Sequence, residues 1–333
     1  MAGILAIEYV LPQRILSNED LVEEYGVWST EMIESKTGIK TRHIAEVDET
    51  AVDLGVRAAE KLLFYRKESR KEIDFIIFVS QTPDYILPTS ACLIQERLSL
   101  KKNVGAIDVN LGCSGYIYGL AIAKCMVDSG IAQNVLLITA ETYSKHINAL
   151  DKSTRTIFGD GAAATLIGKE GMQIGDFDFG TDGTGKDLLI IPSGAARNPI
   201  VGKTFEKQDS DGNLRSSAEL YMDGTGIFEF SIREVPKSIN CLLKKQKLSK
   251  NEIDLWVFHQ ANKYMLDFLR KKMEIDANKF YVNMEDIGNT VSVSIPIALK
   301  RAMQDGTIKN KNRIILCGFG VGLSWGTTII FGG

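Results

Sequence analysis

"EIDLWVFHQANKY", residues 252–264, repeats the pattern of "EIDFIIFVSQTPDY", residues 72–85. Each stretch leaves an acidic turn, runs through a strand-like apolar block and ends on polar side chains. Three more pairs follow in the same order. "GCSGYIYGLAIAKCM" from 112 pairs with "GNTVSVSIPIALKRAM" from 288, "NVLLITAET" from 134 with "NRIILCGFG" from 312, and "AATLIG" from 163 with "TTIIFG" from 327. Buried strands resemble one another by composition, but four matches in one order with drifting offsets read as an old duplication with altered loops. Each half is then an α/β unit of roughly 150 residues, the usual scale of a domain. The halves fall at residues 1–170 and 171–333. The polar stretch 194–222, rich in glycine and serine, reads as a long loop or small insertion in the second half. Loops of that length tend to be functional or mobile.

Strand-like runs alternate with helix-like segments along the rest of the chain. Strands are expected at Phe75–Ser80, Val104–Asn110, Asn134–Ala140, Ala162–Ile167, Leu255–His259, Ile314–Phe319 and Thr327–Phe331. Helices are expected at Val52–Tyr65, Ser90–Arg97, Tyr116–Ser129, Gly226–Leu243, Lys263–Met273 and Val293–Gln304. Such alternation favours an α/β fold with largely buried sheets.

The composition narrows the function. The chain has 333 residues, 44% hydrophobic and 24% charged, with a net charge of −3. It lacks the basic field of a nucleic-acid binder. No apolar stretch has the roughly 20 residues of a membrane span. The opening "MAGILAIEYVLPQRILS" does not read as a secretory signal, because Glu8 interrupts its apolar run and no basic start precedes it. Five cysteines (Cys92, Cys113, Cys125, Cys241, Cys317) sit in apolar runs without a CxxC pair, which suits reduced thiols in the cytoplasm. The three histidines have no zinc-ligand spacing, so no metal is expected.

Aligning the halves places the chemistry. Cys113 opens a helix in the first half, and Asn289, also preceded by glycine, opens the matching helix in the second. His259 ends its strand where Ser80 ends the counterpart. Packed about a pseudo-twofold axis, both helix starts approach that axis with His259 beside them. A helix N-terminus offers unpaired N–H groups and the positive end of a dipole. A cysteine there is expected to have a lowered pKa. Cysteine, histidine and asparagine together suit acyl transfer: a thiolate attacks a thioester while neutral donors hold the oxyanion.

These residues lie in stretches that resemble the β-ketoacyl-acyl-carrier-protein synthase III family of the thiolase superfamily, nearly end to end. The matching pieces are "TGIKTRHIA" at 37–45, "LGCSGYIYGL" at 111–120, "IFGDGAAATLIG" at 157–168, "MDGTGIFEF" at 222–230, "HQAN" at 259–262, "GNTVSVSIP" at 288–296 and "GFGVGLSWG" at 318–326. The resemblance implies a thiolase-like fold, two duplicated α/β halves in a layered αβαβα arrangement. It also implies a decarboxylative Claisen condensation of an acyl thioester with malonyl-acyl-carrier protein. Cys113 would carry the acyl group, and His259 and Asn289 would hold the malonyl thioester oxygen as CO2 leaves. The N–H of Cys113 and one from the loop containing Val321 would form the oxyanion hole, with Phe319 as an apolar wall. The family is homodimeric, which places Leu87 in the partner's acyl pocket. Coenzyme A or acyl-carrier-protein thioesters are substrates, and no resident cofactor is implied.

The chain departs from the family at its substrate-binding positions. A tryptophan and an arginine that clamp the adenine of coenzyme A are matched by Met32 and Lys36, and a further arginine by Lys152. Methionine does not stack like an aromatic ring, and lysine lacks the planar fork of arginine. An arginine of the carrier-docking helix is matched by Tyr264, while Lys263, Arg270, Lys271 and Lys272 leave a basic strip for an acidic carrier protein. Other readings are a non-decarboxylating acyltransferase acting on an oxygen or nitrogen nucleophile, and a partner subunit of a heteromeric synthase.

Overall fold

The computed structural model describes residues 1–66, 70–310 and 312–332. Ten strands form its large sheet: β1 (Gly3–Val10), β2 (Phe75–Val79), β3 (Gly105–Val109), β4 (Val135–Glu141), β5 (Gly161–Gly168), β6 (Met172–Thr181), β7 (Leu255–Phe258), β8 (Phe280–Tyr281), β9 (Arg313–Gly320) and β10 (Ser324–Phe331). The spatial order is β8-β7-β9-β10-β6-β1-β5-β4-β2-β3, which has the same form read from either end. On one side β4, β2 and β3 are parallel while β5 runs antiparallel to β4 and β1. On the other, β9, β7 and β8 are parallel while β10 runs antiparallel to β9 and β6. Among the described residues the two sets of strands pair through Gly3 opposite Gln173 and Ile4 opposite Met172.

The main helices are α1 (Asn18–Tyr25), α2 (Thr30–Thr37), α3 (Ala51–Arg66), α4 (Ser90–Arg97), α5 (Gly115–Asp128), α6 (Gly224–Gln246), α7 (Lys263–Lys272) and α8 (Ser294–Gln304). Strand alternation sorts them into layers. Ile76 and Phe78 of β2 point out toward α3 and α4, and Ile77 and Val79 point inward. Trp256 and Phe258 of β7 point out toward α6 and α7, and Leu255 and Val257 point inward. The inward side chains of both sets close on α5 and α8, through residues such as Ile117, Leu120, Ile295 and Leu299. Layers of helix, sheet, helix pair, sheet and helix result, as in a thiolase-like fold. Because β2 and β7 are covered on both faces, they read in the sequence as unbroken apolar runs.

Two features lay outside the expected elements, and the long polar stretch is irregular as expected. Strands β1 and β6, at the centre of the sheet, carry Glu8 and the pair Asp176 and Asp178, which interrupt the apolar pattern. Glu8 is buried and paired with Lys300 and Lys61. Helices α1 and α2 are short and capped by Ser17 and Ser29, and they end at left-handed Gly26 and Gly38. The stretch 194–222 is mostly irregular, with Lys207–Gln208 pairing Leu214–Arg215 and Tyr221–Met222 pairing Leu189–Ile190.

Candidate active site

A cavity of about 100 Å³ lies against Cys113, and its wall includes His259, Asn289 and Phe319. Cys113 comes from the turn before α5, His259 from the residue after β7, and Asn289 from the turn before α8. Residues 146 and 176 positions apart therefore face one enclosed space.

Cys113 stands two residues ahead of α5. Ser114 leaves the helix uncapped by its side chain and bonds Ser324 Oγ at 2.7 Å instead. The N–H groups of Val321 and of Cys113 itself point at Sγ. The expected lowering of the thiol pKa is nevertheless reversed. Burial pushes the thiol up to about 12 and the Glu141 carboxylate adds to the rise, against the two N–H groups. The helix terminus is weaker here than the cost of an anion in an apolar cavity, so Cys113 is held as a thiol. Gly320 lets the loop approach this closely, since a Cβ there would lie 2.8 Å from Sγ.

His259 is fully buried among apolar groups, with its ring edge-on to Phe319 at 5.7 Å and 85°. Burial lowers its pKa to about 3, so the imidazole is neutral. Its Nδ1 lies 2.8 Å from Ser294 Oγ. Asn289 is fixed by its backbone: its N–H donates to Ile157 O, and its carbonyl accepts from Gly159 N–H. Its Oδ1 accepts the N–H of Val291 at 2.9 Å, which leaves the amide NH2 for the cavity. Two backbone outliers make this turn. Gly288 has φ +70° and a Cβ there would strike Ile157 O at 2.8 Å, while Val291, a branched residue, holds φ +55°. Strain of that kind persists only where surrounding contacts enforce it.

One enforcing contact is Glu141, at the end of β4 and fully buried. Its Oε1 accepts from Ser292 Oγ at 2.8 Å, next to the strained turn of the second half. Its Oε2 accepts from Gln81 N–H at 3.1 Å and from the hydroxyls of Thr82 and Ser80, all at the end of β2. No cation appears among these partners, and burial raises its pKa to about 8. Sequence reasoning missed Glu141 and Ser294. The signal for Glu141 was an acid closing the otherwise uncharged strand "VLLITAE".

Comparison with known proteins gives the arrangement a lineage. Residues 107–183 match the model of 3-oxoacyl-[acyl-carrier-protein] synthase III, and residues 243–331 match the model of its C-terminal region. The β-ketoacyl-[acyl-carrier-protein] synthase III of Caldanaerobacter subterraneus is 38% identical over 331 residues, covering 99% of this chain and 97% of that protein. This chain belongs to the synthase III family. The enzyme of the same name from Clostridioides difficile is also 38% identical, over 99% of this chain and 98% of its own length. A crystal structure of a 3-oxoacyl-(acyl-carrier-protein) synthase III shares 47% identity and superposes with a TM-score of 0.97 over 99% of both chains. A priming β-ketosynthase of a polyketide pathway superposes at 0.85 with 28% identity, over 99% of this chain and 96% of its own. The fold is thus that of the synthase III enzymes, and the chain is an acyltransferase of that family.

None of the residues expected to bind coenzyme A or the carrier protein lines the Cys113 cavity. Met32 on α2 is 42% exposed, and Lys36 one turn on lies over the Trp28 ring at 5.3 Å. Lys152 opens the short helix Lys152–Arg155. The basic strip of α7 is only partly assembled. Arg270 turns away to donate to Ile275 O at 3.1 Å, and the stem of Lys263 packs against Gly38. Lys271 shares a cleft of about 490 Å³ with Glu31, Glu34 and Asp267. Lys272 is exposed. Tyr264 packs with its ring tilted against Phe228, which also meets Phe268, so an aromatic cluster flanks that cleft. Leu87 is 78% exposed, in a loop with exposed Tyr85 and Ile86, and does not reach its own cavity. Among the described residues no cluster of histidine, cysteine and acidic side chains could hold a metal, and no helix is long and apolar enough to cross a membrane.

Proposed function

We propose that this chain joins an acyl thioester to malonyl-acyl-carrier protein by decarboxylative condensation, with Cys113 carrying the acyl group between two steps. In the first, Sγ attacks the donor carbonyl carbon, the donor C–S bond breaks, and the thiol proton leaves on the departing thiol. The N–H groups aimed at Sγ from Cys113 and Val321 hold the oxyanion. In the second, the malonyl carboxylate leaves as CO2 and its bonding electrons pass into the thioester as an enolate. The NH2 of Asn289 and the imidazole of His259 stabilise that oxygen. The carbanion attacks the acyl carbon, a 3-oxoacyl thioester forms, and Cys113 is released and reprotonated. Phe319 keeps the wall apolar, which favours loss of a carboxylate placed against it.

The observation that carries this reading is the single cavity shared by thiol, imidazole and carboxamide. A transferase acting on an oxygen or nitrogen nucleophile needs a base for the acceptor. A histidine whose pKa has fallen to about 3 is a poor base, which favours condensation. On the donor side, Met32, Lys36 and Lys152 cannot form a stacked guanidinium–indole clamp, so we read coenzyme A as loosely held and carrier-borne donors as fully competitive. The acidic carrier docks through Lys263, Lys271 and Lys272 without Arg270. The chain pairs as a homodimer in which exposed Leu87 completes the partner's acyl pocket.

Intact-mass spectrometry with acyl-coenzyme A and acyl-carrier donors tests the first step. An acyl adduct is expected on the wild type and lost in Cys113→Ala. Malonyl-carrier protein should then release CO2 with formation of the 3-oxoacyl product. No CO2 release with short, medium or long donors would refute the reading.

A further inference from the structure

The second step needs a hydrogen-bond donor on the face of His259 that meets the enolate oxygen. A neutral imidazole carries one proton, so Nε2 donates only when Nδ1 is an acceptor. What holds Nδ1 therefore decides whether His259 works. Ser294 Oγ, fully buried, lies 2.8 Å from Nδ1, and the Val291 carbonyl also meets the ring. Its single proton has two possible acceptors, His259 Nδ1 and Val291 O at 3.0 Å.

Two observations bear on the choice. The carbonyl of Val291 already accepts the backbone N–H of Ser294, so it is satisfied without the hydroxyl. Ser294 Oγ accepts the N–H of Gln260 at 3.3 Å, which orients its proton away from that amide. We propose that Ser294 is a positioning residue that donates its hydroxyl proton to His259 Nδ1 and so fixes the imidazole as its Nε2–H tautomer, the form that donates to the enolate. The relay runs from Gln260 N–H to Ser294 Oγ, from Ser294 O–H to Nδ1, and from Nε2–H to the substrate oxygen. The neutral imidazole produced by burial supports this, since an imidazolium would donate from both nitrogens and need no such control. Ser294 sits at the first turn of α8, five residues after Asn289, so one strained turn delivers the carboxamide and sets the imidazole proton.

This inference rests on the proposed roles of Cys113 and His259, and the experiment keeps the two separable. Ring-15N histidine labelling gives few signals, because the chain has three histidines, and His259→Gln assigns the relevant pair. The expected wild-type state is protonated Nε2 and bare Nδ1. In Ser294→Ala only the Val291 carbonyl remains beside Nδ1, so the proton should move to Nδ1. The variant should still acylate Cys113 within about 2-fold of wild type while CO2 release falls about 100-fold, the usual effect of losing one transition-state donor. Ser294→Thr, which keeps the hydroxyl, should recover most of that loss. Protonated Nδ1 in the wild type, equal loss of acylation and condensation in Ser294→Ala, or condensation within about 3-fold of wild type would each overturn the assignment of Ser294. Full condensation by His259→Ala would instead overturn the underlying role of His259.

Discussion

Gly320→Ala puts a methyl group 2.8 Å from both Cβ and Sγ of Cys113. Ordinary contact between such atoms begins near 3.4 Å, so one partner must move by about 0.6 Å. The backbone next to Cys113 is anchored at Ser114, whose hydroxyl is held by Ser324, and Gly320 is itself the last residue of β9. The yielding element is therefore the sulfur or the Val321 N–H that points at it. A misplacement of about 1 Å at a reacting centre costs about 100-fold, and 0.6 Å scales to roughly 10- to 50-fold. Gly320→Ala should therefore acylate Cys113 roughly 10- to 50-fold more slowly than wild type, a barrier rise of about 1.4 to 2.3 kcal/mol. Overpacking should also cost about 1–3 kcal/mol of stability, leaving the protein folded. The assay is the rate of adduct formation by intact mass, on samples whose thermal unfolding remains cooperative. A folded variant that acylates within about 2-fold of wild type would show that close approach of Gly320 does not seat the nucleophile.

Three other substitutions probe the rest of the site. Asn289→Asp keeps the acceptor for Val291 N–H but replaces the donating NH2 with anionic oxygen; CO2 release should fall at least about 100-fold while Cys113 acylation changes by less than about 3-fold, as separate assays of the two steps would report. Glu141→Gln tests the buried acid through stability. Folded Glu141 titrates near 8 rather than 4.5, so between those values the folded protein keeps a proton that the unfolded chain releases. Its contribution to stability therefore declines as pH rises through that window, by at most about 5 kcal/mol. The neutral variant lacks this slope, so urea midpoints at pH 5.5 and 8 should show it gaining on wild type at the higher pH; parallel curves would refute the assignment. Met32→Trp adds an aromatic face on α2 and should lower KM for acyl-coenzyme A by about 3- to 10-fold, with no change for acyl-carrier donors.

The duplicated strands were legible because β2, β4, β7 and β9 are covered on both faces and so read as unbroken apolar runs. Strands β1 and β6 were not, although they join the two sets, because Glu8 is neutralised by lysines from α3 and α8 that no local pattern reveals. Cys113, His259 and Asn289 were legible because each interrupts an apolar element at a matching end. Burial defeated the expectation for the thiol: a one-dimensional reading locates a helix start but gives no measure of how dry it is. Glu141 and Ser294 escaped for a related reason. Their importance lies in what they touch far along the chain, across 151 and 35 residues. Arg270, on an apparent surface strip, also donates to the Ile275 carbonyl, three residues past the end of α7, a contact that no local pattern reveals.

Residues Lys169 to Gly171 are the whole connection between β5 and β6. A cut there would divide the nucleophile from its imidazole and carboxamide and leave two inert polypeptides. Each would also expose a helix, α5 or α8, that is otherwise wrapped between sheets. Mixing the pieces should restore turnover only as those helices find one another, so the break point offers a split enzyme whose catalysis reports reassembly.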